Sequence, residues 1–252
     1  MKKTRKRKIN VYFVLGLLLV LFGVLNLIRY GYTEYRFYKS LNEIAQVHNE
    51  LKVSEESGLS RNEALIKRNE DMEVINLDYV GWVSIKYTNI DFPFMITDDN
   101  EYYLNHNYKR EKHAFGSIYM DYRNTSKFTE EHIILYGHSV NTKAMFGPLD
   151  RYKDEDYLAD RNIIEIVTSD RILEYQIFSI QVVDADVIIL DNPSRINDIN
   201  ELYTQFKAES LYDIEDVSTE VKQIITLVSC EYSYENGRIL VHALLINEQN
   251  LK

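Results

Sequence analysis

The 252-residue chain has one cysteine, Cys230, and only three prolines. A single cysteine cannot pair within its own chain. A disulfide-stapled scaffold is therefore excluded, and the thiol is an inert buried group, an intermolecular bridge or a reactive nucleophile. Internal repeats of 20–50 residues and low-complexity tracts are absent, which excludes solenoids and biased linkers. The six histidines lack tight H-x-H or H-x-x-x-H spacing and there is no cysteine cluster, so no metal and no other cofactor is expected. The pairs Asp98–Asp99 and Glu130–Glu131 read as solvated loops rather than calcium ligands.

Acidic residues are missing from positions 1–29, where seven of the 29 Lys/Arg lie. The other 22 basic residues face all 39 acidic ones. An acidic body argues against nucleic acid as a partner, which needs a basic patch. Between Lys8 and Arg29 runs INVYFVLGLLLVLFGVLNLI, without a charge. As a helix it would be about 30 Å long, the thickness of a bilayer core. Six basic residues precede it, which predicts a cytoplasmic N-terminus and an external body. A cleaved signal peptide would have a shorter apolar region and an A-x-A-like site. RYGYTEYRFY follows instead, so the expectation is a retained single-pass anchor.

What is present suits a packed globular body. The chain is 45% hydrophobic, 27% charged and rich in tyrosine, as a β-rich core with polar-tipped side chains requires. Apolar spacing predicts a helix over 33–55, with Phe37, Leu41, Ile44 and Leu51 recurring. Ser60 and Glu63 form an S-x-x-E capping box for a second helix ending near Ile75. From Trp82 the pattern changes to short β runs: 82–87, 91–96, 116–120, 132–137, 162–168, 172–183, 223–230 and 238–246. Pro93 reads as an edge or bulge. Ser194, Ile196, Ile199, Leu202 and Phe206 predict one helix, 194–209, before the cysteine strand. Many short strands at this spacing imply a closed barrel or a sandwich. The expected parts are a basic tip at 1–8, an anchor at 9–28, a helical region at 29–78 and a β-rich domain at 79–252.

Cys230 ends an apolar strand, a common place for chemistry and equally for a small buried hydrophobe. A reactive thiol needs a nearby cation to lower its pKa. His138 follows a glycine directly after HIILY, a strand-end position that presents a base, though a solvated turn histidine fits the same pattern. His242 is the local rival, sharing a face with Arg238 and Leu240 if the last strand alternates. Arg238 opens that strand, across the hairpin EYSYENG from Cys230. It can hold an oxyanion without proton exchange, or simply pair with Glu231 or Glu235 at the surface.

Taken together, TLVSC and, eight positions after its cysteine, the arginine of GRILV resemble the active-site signature of sortases. ILYGHSVNTKAMFGPL (134–149) resembles the family's histidine segment, with an MF-x-x-L tail most like class B. EYYLNHNYKREKHAFGSIYMDYRN (101–124) is also similar to class B. The resemblance runs from about Trp82 to the C-terminus. It implies a mainly β fold, an eight-stranded barrel with N-terminal helices and one helix inserted before the cysteine strand. It implies a membrane-anchored cysteine transpeptidase that cleaves a sorting signal of NPxTx or LPxTG type through a thioester and passes the surface protein to a peptidoglycan amine. By matching positions, Cys230 is the nucleophile, with His138 and Arg238 as its catalytic partners. Asn100, Tyr136, Ser229 and Glu231 match positions lining the substrate cleft. Ser229 stands where threonine is usual and keeps the hydroxyl. Val228 stands where some class B members have serine, so no side-chain hydrogen bond is available there. A surface cysteine peptidase would use the same thiol and histidine but let water resolve the thioester. A non-catalytic anchored adhesin would bury Cys230.

Overall fold

In a computed structural model of the chain, the residues described are 11–56, 59–113, 115–139, 144–184, 198–215, 220–230 and 237–251. They fall into two compact units, 1–43 and 44–252.

Helix α1 runs Val11–Glu56 without a break. The sequence reading separated an anchor from a helix beginning at 33. No proline lies between them, and Gly31, whose surroundings are open, costs only about 1 kcal/mol in a helix and does not end it. Within α1, Val11–Arg36 is long and apolar enough to cross a membrane, its most apolar 18-residue window having a mean hydropathy of 2.7. Helix α2, Arg61–Ile75, begins at the Ser60 capping box. The Ser60 hydroxyl accepts from the Glu63 amide at 3.3 Å, and the Glu63 carboxylate accepts from the Ser60 amide at 2.7 Å. Two of the helix's otherwise orphaned donors are thereby satisfied.

The eight strands are β1 (Tyr79–Ile85), β2 (Asp91–Met95), β3 (Ile118–Met120), β4 (His132–Tyr136), β5 (Ile163–Thr168), β6 (Arg171–Asp184), β7 (Ile224–Cys230) and β8 (Gly237–Asn250). They close into a barrel in the order β1-β2-β3-β4-β7-β8-β6-β5. Closure leaves no open sheet edge. Pro93 is accommodated without an edge. It pairs with Trp82 on one side, and the ladder to β3 begins only after it, at Phe94.

Alternation in β4, β7 and β8 sends Ile133, Leu135, Ile225, Leu227, Ile239 and Val241 to the barrel interior, all fully buried. The opposite face of the same strands is also buried. Helix α3 is a single turn, Glu155–Leu158. Helix α4, Ile199–Ala208, lays Ile199, Leu202 and Phe206 on Phe178, Ile224 and Leu244. Its N-cap is Asp198, whose carboxylate accepts from the Asn200 amide at 2.8 Å. This replaces the expected Ser194, which lies with Ile196 outside the described residues. Asp is as good a cap as Ser, and nothing in local sequence separated the two. β4, β7 and the first half of β8 are mostly buried on both faces, and the candidate site sits at their ends.

Candidate active site

Cys230 is the last residue of β7 and Arg238 the second of β8, and the antiparallel register places their backbones directly opposite each other. Parallel pairing of β4 with β7 sets Tyr136 beside Val228. Past the end of β4 the chain stays tied to β7. The Gly137 amide donates to the Val228 carbonyl, and the buried Ser229 hydroxyl donates to the Gly137 carbonyl, both at 3.0 Å. Glycine is required at 137 by a close approach: a Cβ there would lie 2.6 Å from the Phe146 ring.

His138 follows. Its carbonyl accepts from the Phe146 amide at 3.1 Å, and Ser139 bridges to Met145. Its Nε2 lies 2.9 Å from the Leu104 carbonyl oxygen. A carbonyl only accepts, so Nε2 carries the proton of this bond and Nδ1 is the basic nitrogen of the neutral ring. Leu104 closes a short 3₁₀ turn, Tyr102–Leu104.

These groups border a cleft of about 290 Å³. Leu104, Tyr119, Tyr136 and Val228 give it apolar walls, while Gly137, His138, Ser229 and Arg238 bring the polar groups. Tyr119 and Tyr136 stack at 5.3 Å between ring centroids. The half-buried Arg238 donates from Nη1 to the Gly237 carbonyl at 2.8 Å. The arrangement offers a cation and a tethered imidazole beside the backbone position of Cys230, in a cleft with largely apolar walls. That is the equipment of acyl transfer through a thiol.

Behind the cleft lies a carboxylate the sequence reading did not single out. The Asp121 side chain is fully buried. It accepts from the Tyr136 hydroxyl at 2.9 Å and from Asn100 Nδ2 at 3.2 Å, and Arg123 pairs with it at 2.8 Å. Burial alone would raise its pKa, but the hydrogen bonds from Arg123 and Tyr136 outweigh burial and hold it below the ordinary value. Burial beside that charge pushes the Tyr136 phenol well up, so it stays a neutral donor.

The expected site residues therefore divide. Arg238 and His138 border the cleft beside the backbone of Cys230, with Tyr136 and Ser229 on the wall. Asn100 is not among the residues bordering the described cleft; its amide is committed to Asp121 and to the Tyr122 amide, 3.0 Å from Oδ1. Glu231 lies outside the described residues. His242, the rival base, is fully buried beneath α4 with Phe206 stacked on it at 3.8 Å. Among the described residues His138 is the only histidine on the cleft. Leu104 and Tyr119 were legible only as parts of longer segments. Asp121 had one local signal, an arginine two positions on.

A sortase-domain family model matches residues 85–246. Sortase B of Listeria monocytogenes is 34% identical over 181 residues, covering 71% of this chain and 74% of that protein. Sortase B of Staphylococcus aureus is also 34% identical over 181 residues, with 70% and 74% covered. Among solved structures, a Staphylococcus aureus sortase B–substrate complex superposes with a TM-score of 0.66 at 31% identity, over 73% of this chain and 86% of that one. Clostridium perfringens sortase B gives a TM-score of 0.64 at 26% identity, over 71% and 99%.

Proposed function

The chain belongs to the class B sortases, a family of cysteine transpeptidases, and from that premise we propose that it cleaves a C-terminal sorting signal on surface proteins and joins them to a peptidoglycan amine. The observation that carries this reading is the direct pairing of Cys230 with Arg238, beside a cleft that holds His138.

The steps follow from the groups. The Cys230 thiolate attacks the carbonyl carbon between the fourth and fifth residues of the signal. A C–S bond forms, and Arg238 offsets the charge gathering on the oxygen. The C–N bond then breaks, and His138, protonated, gives its proton to the departing amine. The remaining thioester is attacked by an amine of the wall precursor. The new C–N bond forms as the C–S bond breaks, the amine's proton passes to His138, and the thiolate is restored. The Leu104 carbonyl suits this cycle because it accepts from Nε2 in both protonation states of the ring. The walls of Leu104, Tyr119, Tyr136 and Val228 suit an apolar stretch of the signal, with Ser229 behind it; Glu231, next after the nucleophile in sequence, is a further substrate-contacting residue of this reading. By class analogy the signal is of NPxTx type.

The anchor supports the same reading. We place 1–8 in the cytoplasm, 9–28 in the membrane, and the helical region 29–78 and barrel domain 79–252 outside. Enzyme, client and lipid-borne precursor would then share one surface.

The test uses the full chain in detergent micelles with quenched-fluorescence pentapeptides of NPxTx and LPxTG types, with and without an amine acceptor, and Cys230→Ala as control. Cysteine-dependent cleavage with acceptor joined to the product is expected. Cleavage only to the free acid, whatever amine is supplied, would make the protein a peptidase.

A further inference from the structure

We propose that Asp121 is a positioning residue for the histidine, one buried carboxylate that fixes both supports of His138. Its activity readout rests on the function proposed above; its structural readout does not.

The carboxylate gathers donors from three segments. Oδ1 accepts from the Arg123 amide at 2.9 Å and from Arg123 Nε at 2.8 Å. Oδ2 accepts from Arg123 Nη2 at 2.8 Å, from the Tyr136 hydroxyl at 2.9 Å and from Asn100 Nδ2 at 3.2 Å. Arg123 alone balances the charge. The two further donors therefore do something else, and each leads to His138 from a different side.

The first support is β4. Tyr136 ends that strand two residues before His138, so a hydroxyl held by Asp121 fixes where the strand stops and the Gly137–His138 turn begins. The second is the 3₁₀ turn. Asn100 is tied at both ends of its amide, to Asp121 and to the Tyr122 backbone. It stands two residues before that turn, whose last residue supplies the carbonyl that receives His138 Nε2–H. Loss of the carboxylate frees both supports at once, whereas loss of Tyr136's hydroxyl or Asn100's amide frees one. This assigns Asn100 a role behind the cleft rather than on it.

Asp121→Asn keeps the shape but removes the charge and turns one of the two acceptors into a donor facing donors, which loosens the hold on Arg123, Tyr136 and Asn100. A displacement of about 1 Å in a catalytic group costs on the order of a hundredfold in rate. The full chain in detergent micelles, with nitrogen-labelled histidine, reads this directly by NMR. At a pH high enough for the ring to be neutral, wild-type His138 holds its one proton on Nε2. In Asp121→Asn the expected result is a mixed tautomer at His138, unchanged His132 and His242 signals, and a kcat lower by about ten- to a hundredfold. Tyr136→Phe and Asn100→Ala each shift the tautomer less, and adding Tyr136→Phe to Asp121→Asn brings less than the sum of the separate effects.

A folded Asp121→Asn chain with wild-type His138 signals overturns the proposal. If Asp121→Asn does not fold, wild-type His138 signals in the Tyr136→Phe/Asn100→Ala double variant overturn it equally. A wild-type chain inactive on every peptide counts against the proposed function, while the tautomer still decides the role of Asp121.

Discussion

Acid should destabilise this barrel through two histidines that take no part in the proposed chemistry. His132 on β4 and His242 on β8 are fully buried on the face covered by α4. The Thr226 hydroxyl bridges them, 2.7 Å from His132 Nε2 and 2.8 Å from His242 Nδ1, donating to one ring and accepting from the other. Phe206 of α4 stacks on His242, and the outer nitrogens, His132 Nδ1 and His242 Nε2, have no partner among the described residues. Burial pushes His132 down from 6.5 to about 3; burial, and then repulsion from His132, pushes His242 well down too. Below pH 6.5 the unfolded chain therefore binds protons that the folded chain refuses. Stability falls as pH drops from there, by about 1.4 kcal/mol per pH unit for each such group, until the folded pKa is reached. Between pH 6.5 and about pH 4.5, His132 alone removes about 2 kcal/mol, a large share of a typical 5–15 kcal/mol. The assay is urea unfolding of the full chain in micelles across this range, followed by Trp82, the only tryptophan and a buried barrel residue. His132→Gln, which cannot titrate, should be less stable at neutral pH yet have a shallower acid slope by about 1.4 kcal/mol per pH unit. Parallel slopes in the two proteins would refute the reasoning.

Two further outcomes concern the site. Gly137→Ala drives a methyl into Phe146 and should lower stability by about 1–3 kcal/mol and displace His138, so Trp82-detected melting and peptide turnover should both fall; unchanged turnover would deny the close approach its role. Arg238→Lys keeps the charge but loses the planar fork, so kcat/KM should drop by about a hundred- to a thousandfold while the melting temperature holds; steady-state kinetics check this.

Much of the barrel was legible because its strands are short, apolar and separated by polar turns. All eight runs emerged within a few residues of their ends, and the Ser60–Glu63 capping box was visible as a four-residue pattern. The unbroken α1 was not, because the change from apolar to polar composition near Arg29 suggests a joint where the backbone has none. The site was partly legible. Cys230 and Arg238 are joined by a short hairpin, so spacing alone places them together. The company of His138 depends on parallel pairing of β4 with β7 across more than 80 residues, which no local pattern encodes. Asp121 was hidden for the same reason, since its donors Asn100 and Tyr136 lie on other segments. The His132–Thr226–His242 row needed the register of three strands at once.

The most direct measurement is the intact mass of the full chain, acid-quenched after incubation with a sorting-signal peptide and no amine acceptor. A thioester enzyme should carry the acyl portion of the peptide through its fourth residue, on Cys230, removable by hydroxylamine and absent from Cys230→Ala. Peptide cleavage by a chain that stays unmodified, or an adduct on any other residue, would contradict a covalent mechanism at Cys230.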